Sequence, residues 1–476
     1  MHTRAIPEAV QSDVGLSWGL MNVLPPRAPA RRPVPGPHGA GRRRLCLMTA
    51  VAAAAAWCPR HPLAQPVPAV PTPPARLLDP ARLSLLDQAI ASAVQAGQLP
   101  GAVVRVERLA PGASRASERA PLHESYESAV GRKALEPVPE PLEPTTVYDC
   151  ASLTKVVVTA AVLARLMQDG ALRPDTPVRG LLPAFESDRG GPPITVGQLL
   201  THTSGLPAGL PLQPAWSGLE PALALAATRA PTHPPGTFFR YSDVNFILLG
   251  QIAERVTGQG LDALAHAWFF RPLGMRDSGF RPLADPQAWA RVPLERVAPT
   301  EWDGEIGAAS SARHPAAALL RGQVHDPTAR RMGGVAGHAG LFSTAADLAR
   351  FARMILQGGE LDGVRVLSAQ AVAGMTAVAT PPGLPEQRSL GWDIHSPFSR
   401  ARGRIYPRGS FGHTGFTGCA LWIDPFSRTF HVLLSNRVHP RTRESIVALY
   451  EEVGTRAADA VVGFDFERLR GPAPPR

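Results

Sequence analysis

The stretch Val156-Val-Val-Thr-Ala-Ala-Val-Leu-Ala-Arg-Leu-Met167 is apolar on nearly every side of a helix and stops before Gly170. A helix that is hydrophobic all round is a buried one, and a glycine just past the end is a usual terminator. The pattern predicts a central buried helix with Ser152 at its start, where exposed N–H groups and the helix dipole favour negative charge. Other helices are expected over Asp79 to Ala96, closed by Gly97, and over Phe246–Val256, stopped by Gly258. A further helix is expected over Thr344–Leu356, with Thr344 and Asp347 as a capping pair, and a closing one over Arg441–Val462. The ends of the chain read differently. Ala102–Glu107 has the β-branched look of a strand, and Cys419–Asp424 and Thr429–Ser435 form two more around the turn Asp424–Arg428. Residues 109–125 are polar and rich in Pro and Ser, which suits a loop or hairpin, and no internal repeat is visible. The early strand and the late hairpin are expected to share one sheet, with a helical region inserted between them. The predicted class is α+β: an antiparallel sheet (77–150 and 388–465) flanked by helices, with an inserted all-helical subdomain (151–387).

Composition changes this picture mainly at the front. The chain has 476 residues and a formal charge of +10, but residues 1–65 hold eight Arg against two acids. With most of the charge in that segment and no basic run interleaved with aromatics, nucleic acid is not an expected partner. Arg42-Arg43-Arg44 precedes the apolar run Leu45–Trp57, too short to span a bilayer, with Ala54 and Ala56 as an A-x-A-like cleavage point. Residues 1–65 are therefore expected to be an export leader, placing the mature protein in the periplasm or outside the cell, with Met21 an alternative start. Residues 66–76 form a Pro-rich spacer, and 77–465 the catalytic domain. Cys150 and Cys419 remain in the mature part. Two cysteines make no disulfide framework, and they stand either as one bridge or as two separate thiols.

Lysine usage carries the chemistry. Of 49 Lys and Arg residues only Lys133 and Lys155 are lysines, and Lys155 lies three residues after Ser152 in Cys150-Ala-Ser-Leu-Thr-Lys155. A partly buried ammonium can lose its proton, which a guanidinium does not. Positions i and i+3 share a helix face, so the lysine can activate the serine hydroxyl as a nucleophile. Such a hydrolase also needs a proton shuttle, oxyanion donors and a strand edge for its substrate. Tyr241 in Tyr241-Ser-Asp-Val-Asn245 is a candidate shuttle, since a phenol near an ammonium can exchange protons with a serine. Gly412-His-Thr-Gly415, before the last hairpin, offers a side chain to grip a carboxylate and a glycine for close backbone approach. His202, His325 and His338, with Asp326, match no compact ligand spacing. They are read as structural, and neither metal nor other cofactor is expected.

Taken together, these segments resemble the serine β-lactamase and penicillin-binding DD-carboxypeptidase superfamily, in its class C-like branch. Ser152-Leu-Thr-Lys155 is similar to the S-x-x-K motif, Tyr241-Ser-Asp243 to Y-x-N, and His413-Thr-Gly415 to K-T-G in its H-T-G form. Leu199-Leu-Thr-His-Thr-Ser-Gly-Leu206, Val324-His-Asp326 and Gly337-His-Ala-Gly-Leu-Phe-Ser-Thr344 also look like that branch, and the likeness runs from about Leu99 to Arg437. The resemblance implies an exported serine hydrolase of DD-carboxypeptidase, esterase or β-lactamase type. Its substrate would be a small molecule or a peptidoglycan fragment; the alternative is a penicillin-binding sensor or scaffold that acylates with little turnover. It implies Ser152 as nucleophile, Lys155 and Tyr241 as acid and base, and the backbone N–H groups of Ser152 and Phe416 as oxyanion donors. Asp243, His413, Thr414, Gly415 and Phe416 would form the substrate site. Two residues depart from the pattern. Asp243 stands where the family has Asn, and an ionised carboxylate cannot donate, so it is expected to contact Lys155 and hold it charged. Asn245 is a possible substitute for the missing amide. His413 stands for Lys, which would make anion binding depend on pH near neutrality.

Overall fold

The structure is a computed structural model that describes residues 76–110, 123–285, 291–303, 318–441 and 444–469. The expected leader at 1–65, nearly all of the expected spacer at 66–76, and part of the polar segment 109–125 lie outside the described residues. The helix Pro80–Gln95 starts from the Asp79 side chain, which accepts from the N–H of Ala81 and Arg82, and it ends before Gly97 at φ +73°. Its residues Leu83, Leu86 and Ile90 recur at helical spacing and are buried.

Among the described residues twelve strands follow in chain order: β1 Gly101–Leu109, β2 His123–Ala134, β3 Glu140–Pro141, β4 Tyr148–Asp149, β5 Phe342–Ser343, β6 Glu360–Leu361, β7 Val364–Arg365, β8 Gln387–Arg388, β9 Asp393–His395, β10 Phe411–Gly415, β11 Cys419–Asp424 and β12 Thr429–Ser435. Eight of them form one sheet in the order β3-β2-β1-β12-β11-β10-β9-β8, its pairs antiparallel, while β4 pairs β5 and β6 pairs β7. The first long strand therefore lies against the last, Ala102 opposite Ser435 and Val106 opposite His431. The α+β expectation holds, with the region 151–387 entering between the two halves of the sheet, but that region is not all-helical, since β5, β6 and β7 lie within it.

Both faces of this sheet are covered. Period-2 alternation sends Ala102, Val104 and Val106 to one face, where they pack with Leu86, Ile90, Trp422, Leu433 and Val453. Val103, Leu421, Ile423, Val432 and Leu434 point to the other face and join a much larger cluster that includes Val156–Val158, Phe246, Leu348 and Trp392. The apolar stretch 151–168 is long and apolar enough to cross a membrane by composition, but 78% of its window is buried inside the protein, as its all-round hydrophobicity predicted. Each large aliphatic side chain removed from water there contributes about 1.5–3 kcal/mol. The element carrying Ser152 and Lys155 is thus held by the core on all sides.

Three expected boundaries change. The central helix is not uniform: Ala151–Leu153 is a 3₁₀ turn, Lys155–Ala160 is π-helical, and only Ala161–Gln168 is α-helical. The helix expected from Phe246 starts earlier and runs Asp243–Thr257, because the Ser242 hydroxyl caps it by accepting from the Asn245 N–H. The closing helix is only Val447–Asp459, since Ile446 is buried at the wall of a cleft and the Glu444 carbonyl binds Arg437. Thr344 does cap Ala345–Leu356, but the Asp347 carboxylate turns away to accept from Ser278 Oγ and the Asp277 N–H, each at 2.8 Å.

Candidate active site

Ser152 lies one residue beyond Ala151, whose φ of +46° is left-handed, a conformation a β-carbon disfavours. Three contacts hold this turn. The Ala151 N–H donates to Asp149 Oδ1 at 2.8 Å, the Cys150 N–H donates to the Leu341 carbonyl at 2.8 Å, and Thr154 Oγ1 donates to the Ala151 carbonyl at 2.6 Å. Asp149 Oδ2 accepts from the His325 N–H at 2.7 Å, so one buried carboxylate ties the serine turn to the segment carrying His325. Sequence reasoning missed Asp149, because neither spacing nor residue type distinguishes it from other acids.

One turn later, Lys155 is fully buried. Its ammonium donates to Ser152 Oγ at 3.0 Å and to the His338 carbonyl at 2.9 Å, and pairs with Asp243 Oδ1 at 2.7 Å. The backbone at His338 comes so near because Gly337 packs on Gly250: a β-carbon at 337 would overlap the Phe246 carbonyl oxygen and lie 3.0 Å from Gly250 Cα. Burial opposes the charge on Lys155. The charges and hydrogen bonds of Asp243 and Tyr241 outweigh it and hold the pKa above the ordinary lysine value. The expected contact between Asp243 and Lys155 is formed, and it keeps the lysine charged.

The Tyr241 ring lies 5.0 Å from the Lys155 nitrogen. It rests on His202 at 4.5 Å between ring centres, with Phe398 at 5.4 Å and His413 at 5.9 Å. His202 Nδ1 accepts from the Ser242 N–H at 3.1 Å, so the segment 199–206 serves to seat the tyrosine loop. Asn245 does not replace the missing amide. It is buried, and its Oδ1 accepts from Ser204 Oγ at 2.7 Å.

β10 brings the third segment against the serine turn. A β-carbon on Gly415 would lie 2.5 Å from the Cys150 carbonyl oxygen, so only glycine permits this approach. Beyond it, Phe416 is 57% exposed and held between the His325 ring at 5.6 Å and the Arg437 guanidinium at 4.7 Å. His413 corrects an expectation. Its Nδ1 donates to the Thr414 carbonyl at 2.8 Å, and burial first, then Arg388 and Lys155, push its pKa well below 6.5. The ring is neutral at neutral pH, so it neither supplies a cation nor switches anion binding there. Two cations line this cleft instead, Arg437 beside Phe416 and Arg388, which sequence reasoning missed. Arg388 is buried at β8, yet lines a cleft of about 340 Å³ together with Ser152, Tyr241, Asp393, His413 and Thr414. Only the folding of β8 beside β9 and β10 brings it there.

Cys150 and Cys419 are both buried free thiols. Cys419 Sγ lies 3.6 Å from the Asp149 carbonyl oxygen and 3.7 Å from that of Ser435. His325 Nε2 meets Glu301 at 2.8 Å and His338 Nε2 meets Asp326 at 2.8 Å. Among the described residues no three His, Cys, Asp or Glu side chains gather as a metal site.

Buried neutral histidines set an acid limit. Burial pushes His202 and His413 well below 6.5 and His431 down to about 4. Unfolding frees each ring to bind a proton below about pH 6.5, whereas the folded chain keeps it neutral. The stability these rings contribute is therefore complete above pH 6.5 and falls as pH drops toward 4, by up to about 1.4 kcal/mol per pH unit for each ring. Urea midpoints at pH 7.5, 6 and 5 are expected to decline steadily, with a shallower slope in His431→Phe.

Residues 86–454 match the family model described as "Beta-lactamase". A protein of Escherichia coli (strain K12) named "Putative D-alanyl-D-alanine carboxypeptidase" is 33% identical over 322 residues, which make up 63% of this chain and 71% of that one. The octameric penicillin-binding protein homologue from Pyrococcus abyssi superposes with a TM-score of 0.58 at 21% identity, over 80% of this chain and 79% of its own. EstCE1, a hydrolase with promiscuous acyltransferase activity, gives a TM-score of 0.58 at 21% identity, over 80% of this chain and 99% of its own. At such identities the two structures speak for the fold alone.

Proposed function

The chain belongs to the β-lactamase family and is a serine hydrolase, and from that premise we propose that it is an exported enzyme of DD-carboxypeptidase type, acting through an acyl-enzyme on Ser152. The observation that carries this is the 3.0 Å contact between Lys155 Nζ and Ser152 Oγ at the floor of a cleft. Because Lys155 is held charged, the proton of Ser152 is passed on through Tyr241, which lies beside the ammonium. Ser152 Oγ adds to the substrate carbonyl, and the oxyanion is met by the N–H groups of Ser152 and Phe416. Tyr241 then protonates the leaving amine, and water hydrolyses the acyl-enzyme along the same proton route. Thr414 and Arg388 hold the terminal carboxylate, with His413 as a neutral acceptor beside them. The basic and apolar run Arg42–Trp57, read as part of an export leader, supports a periplasmic or secreted location.

The sensor reading is favoured by one observation: the Asp243–Lys155 pair removes a neutral amine as a base for deacylating water. One set of assays separates the two. The enzyme reading expects steady release of D-alanine from an acylated D-alanyl-D-alanine peptide or steady hydrolysis of p-nitrophenyl acetate. The sensor reading expects a penicillin adduct seen by intact mass that persists for hours, with neither substrate turned over.

A further inference from the structure

Two groups of opposite charge flank Ser152. Asp243 reaches it through Lys155, by contacts of 2.7 and 3.0 Å. Oδ1 of Asp243 is buried against the ammonium, while a third of its side chain stays exposed. A carboxylate only accepts hydrogen bonds, so a substrate group lying against it must donate. A carbonyl placed there meets oxygen with oxygen, and an ammonium meets an anion with three donors. On the other side, Arg388 lines the cleft with part of its donor set unspent. Its NH2 group donates to the Gly391 carbonyl at 3.0 Å and NH1 lies 3.5 Å from Asp393 Oδ1, but buried Nε has no hydrogen-bond partner. Asp393 is only a partial counter-charge, since its Oδ2 accepts from Ser399 Oγ at 2.9 Å. A buried guanidinium with a spare donor is suited to a carboxylate.

Resting on the acyl-enzyme reading above, we propose that the cleft prefers a zwitterionic substrate: a dipeptide-sized amide or ester whose amino group beside the scissile carbonyl is free and whose leaving part carries a carboxylate. Asp243 receives the ammonium and Arg388 the carboxylate. Asp243 is then the residue that selects against acylated amines. In the reaction Ser152 Oγ bonds to the carbonyl carbon, the C–N bond breaks, and the leaving amine takes the proton that Ser152 gave up. Water then adds to the aminoacyl ester, and the C–O bond to Ser152 breaks. The free amino acid departs and the proton returns to the serine, so one dipeptide and one water give two amino acids.

The test compares D-alanyl-D-alanine with its N-acetyl derivative and with its C-terminal amide on the purified full chain, reading kcat/KM from released product, with p-nitrophenyl acetate as a control. The free dipeptide is expected to exceed each capped form by about tenfold or more, because each cap leaves a charged group of the site unmatched. Asp243→Asn is expected to reverse the preference between free and acetylated amine, and Arg388→Gln to erase the preference for the free carboxylate. Equal or better turnover of the acetylated peptide by wild type overturns the proposal, as does an unchanged ratio in Asp243→Asn. Turnover of p-nitrophenyl acetate through Ser152 with none of the three peptides cleaved overturns the zwitterion preference alone. If nothing is hydrolysed and Ser152 takes no adduct, the acyl-enzyme reading itself fails.

Discussion

Ser152→Ala gives a folded protein whose hydrolysis of p-nitrophenyl acetate and of D-alanyl-D-alanine peptides is lower by about 10³-fold or more. It also gains no mass on exposure to a penicillin under any conditions in which wild type takes up one penicillin equivalent. Size and specificity have the same origin. The hydroxyl is the only atom of this side chain that the proposed chemistry uses, and it accepts a hydrogen bond from Lys155. Losing it leaves the ammonium with the His338 carbonyl and the Asp243 carboxylate, so stability changes by about 1 kcal/mol or less. A collapse in rate with a normal unfolding midpoint identifies the nucleophile. Retention of more than a tenth of the activity would place it elsewhere.

Lys155→Met is expected to lower kcat/KM by about 10²–10⁴-fold and, unlike Ser152→Ala, to destabilise the fold. It removes the charge that balances Asp243 Oδ1, an atom buried without other partner. A carboxylate left so costs about 1–3 kcal/mol, toward the lower end because part of Asp243 is exposed. Lys155→Met with Asp243→Asn separates the two effects. Removing the stranded carboxylate restores most of the unfolding midpoint, while activity stays lost because no ammonium remains beside Ser152 and Tyr241. Activity returning along with stability would mean that Lys155 acts only by neutralising Asp243.

What could be read from the chain and what could not divide along physical lines. β11 and β12 were legible to the residue, because a buried hairpin with its turn is a local pattern. The Ser152–Lys155 contact was legible because three residues of helix place two side chains together whatever surrounds them. The 3₁₀-to-π course of that element was not, since it answers to packing on all sides. His413 shows the same limit from the side of charge. Its identity was plain, but its protonation depends on burial and on Arg388, and Arg388 comes from another strand. Asp149 was out of reach for the same reason: it matters only through the turn on one side and His325 on the other.

The pairing of β1 with β12 has a consequence for how the protein comes into being. A ribosome makes β1 and the nucleophile long before the strand that completes the sheet beside β1 emerges. Until then β1 has an open edge, and Arg388 and β10, though already made, have no β12 to join them to it. Pairing of such distant segments is slow, and the waiting chain is prone to stick to others. Newly made protein therefore gains stability and activity together and late, and a chain cut short before Thr429 is no partial enzyme but a sheet without its centre.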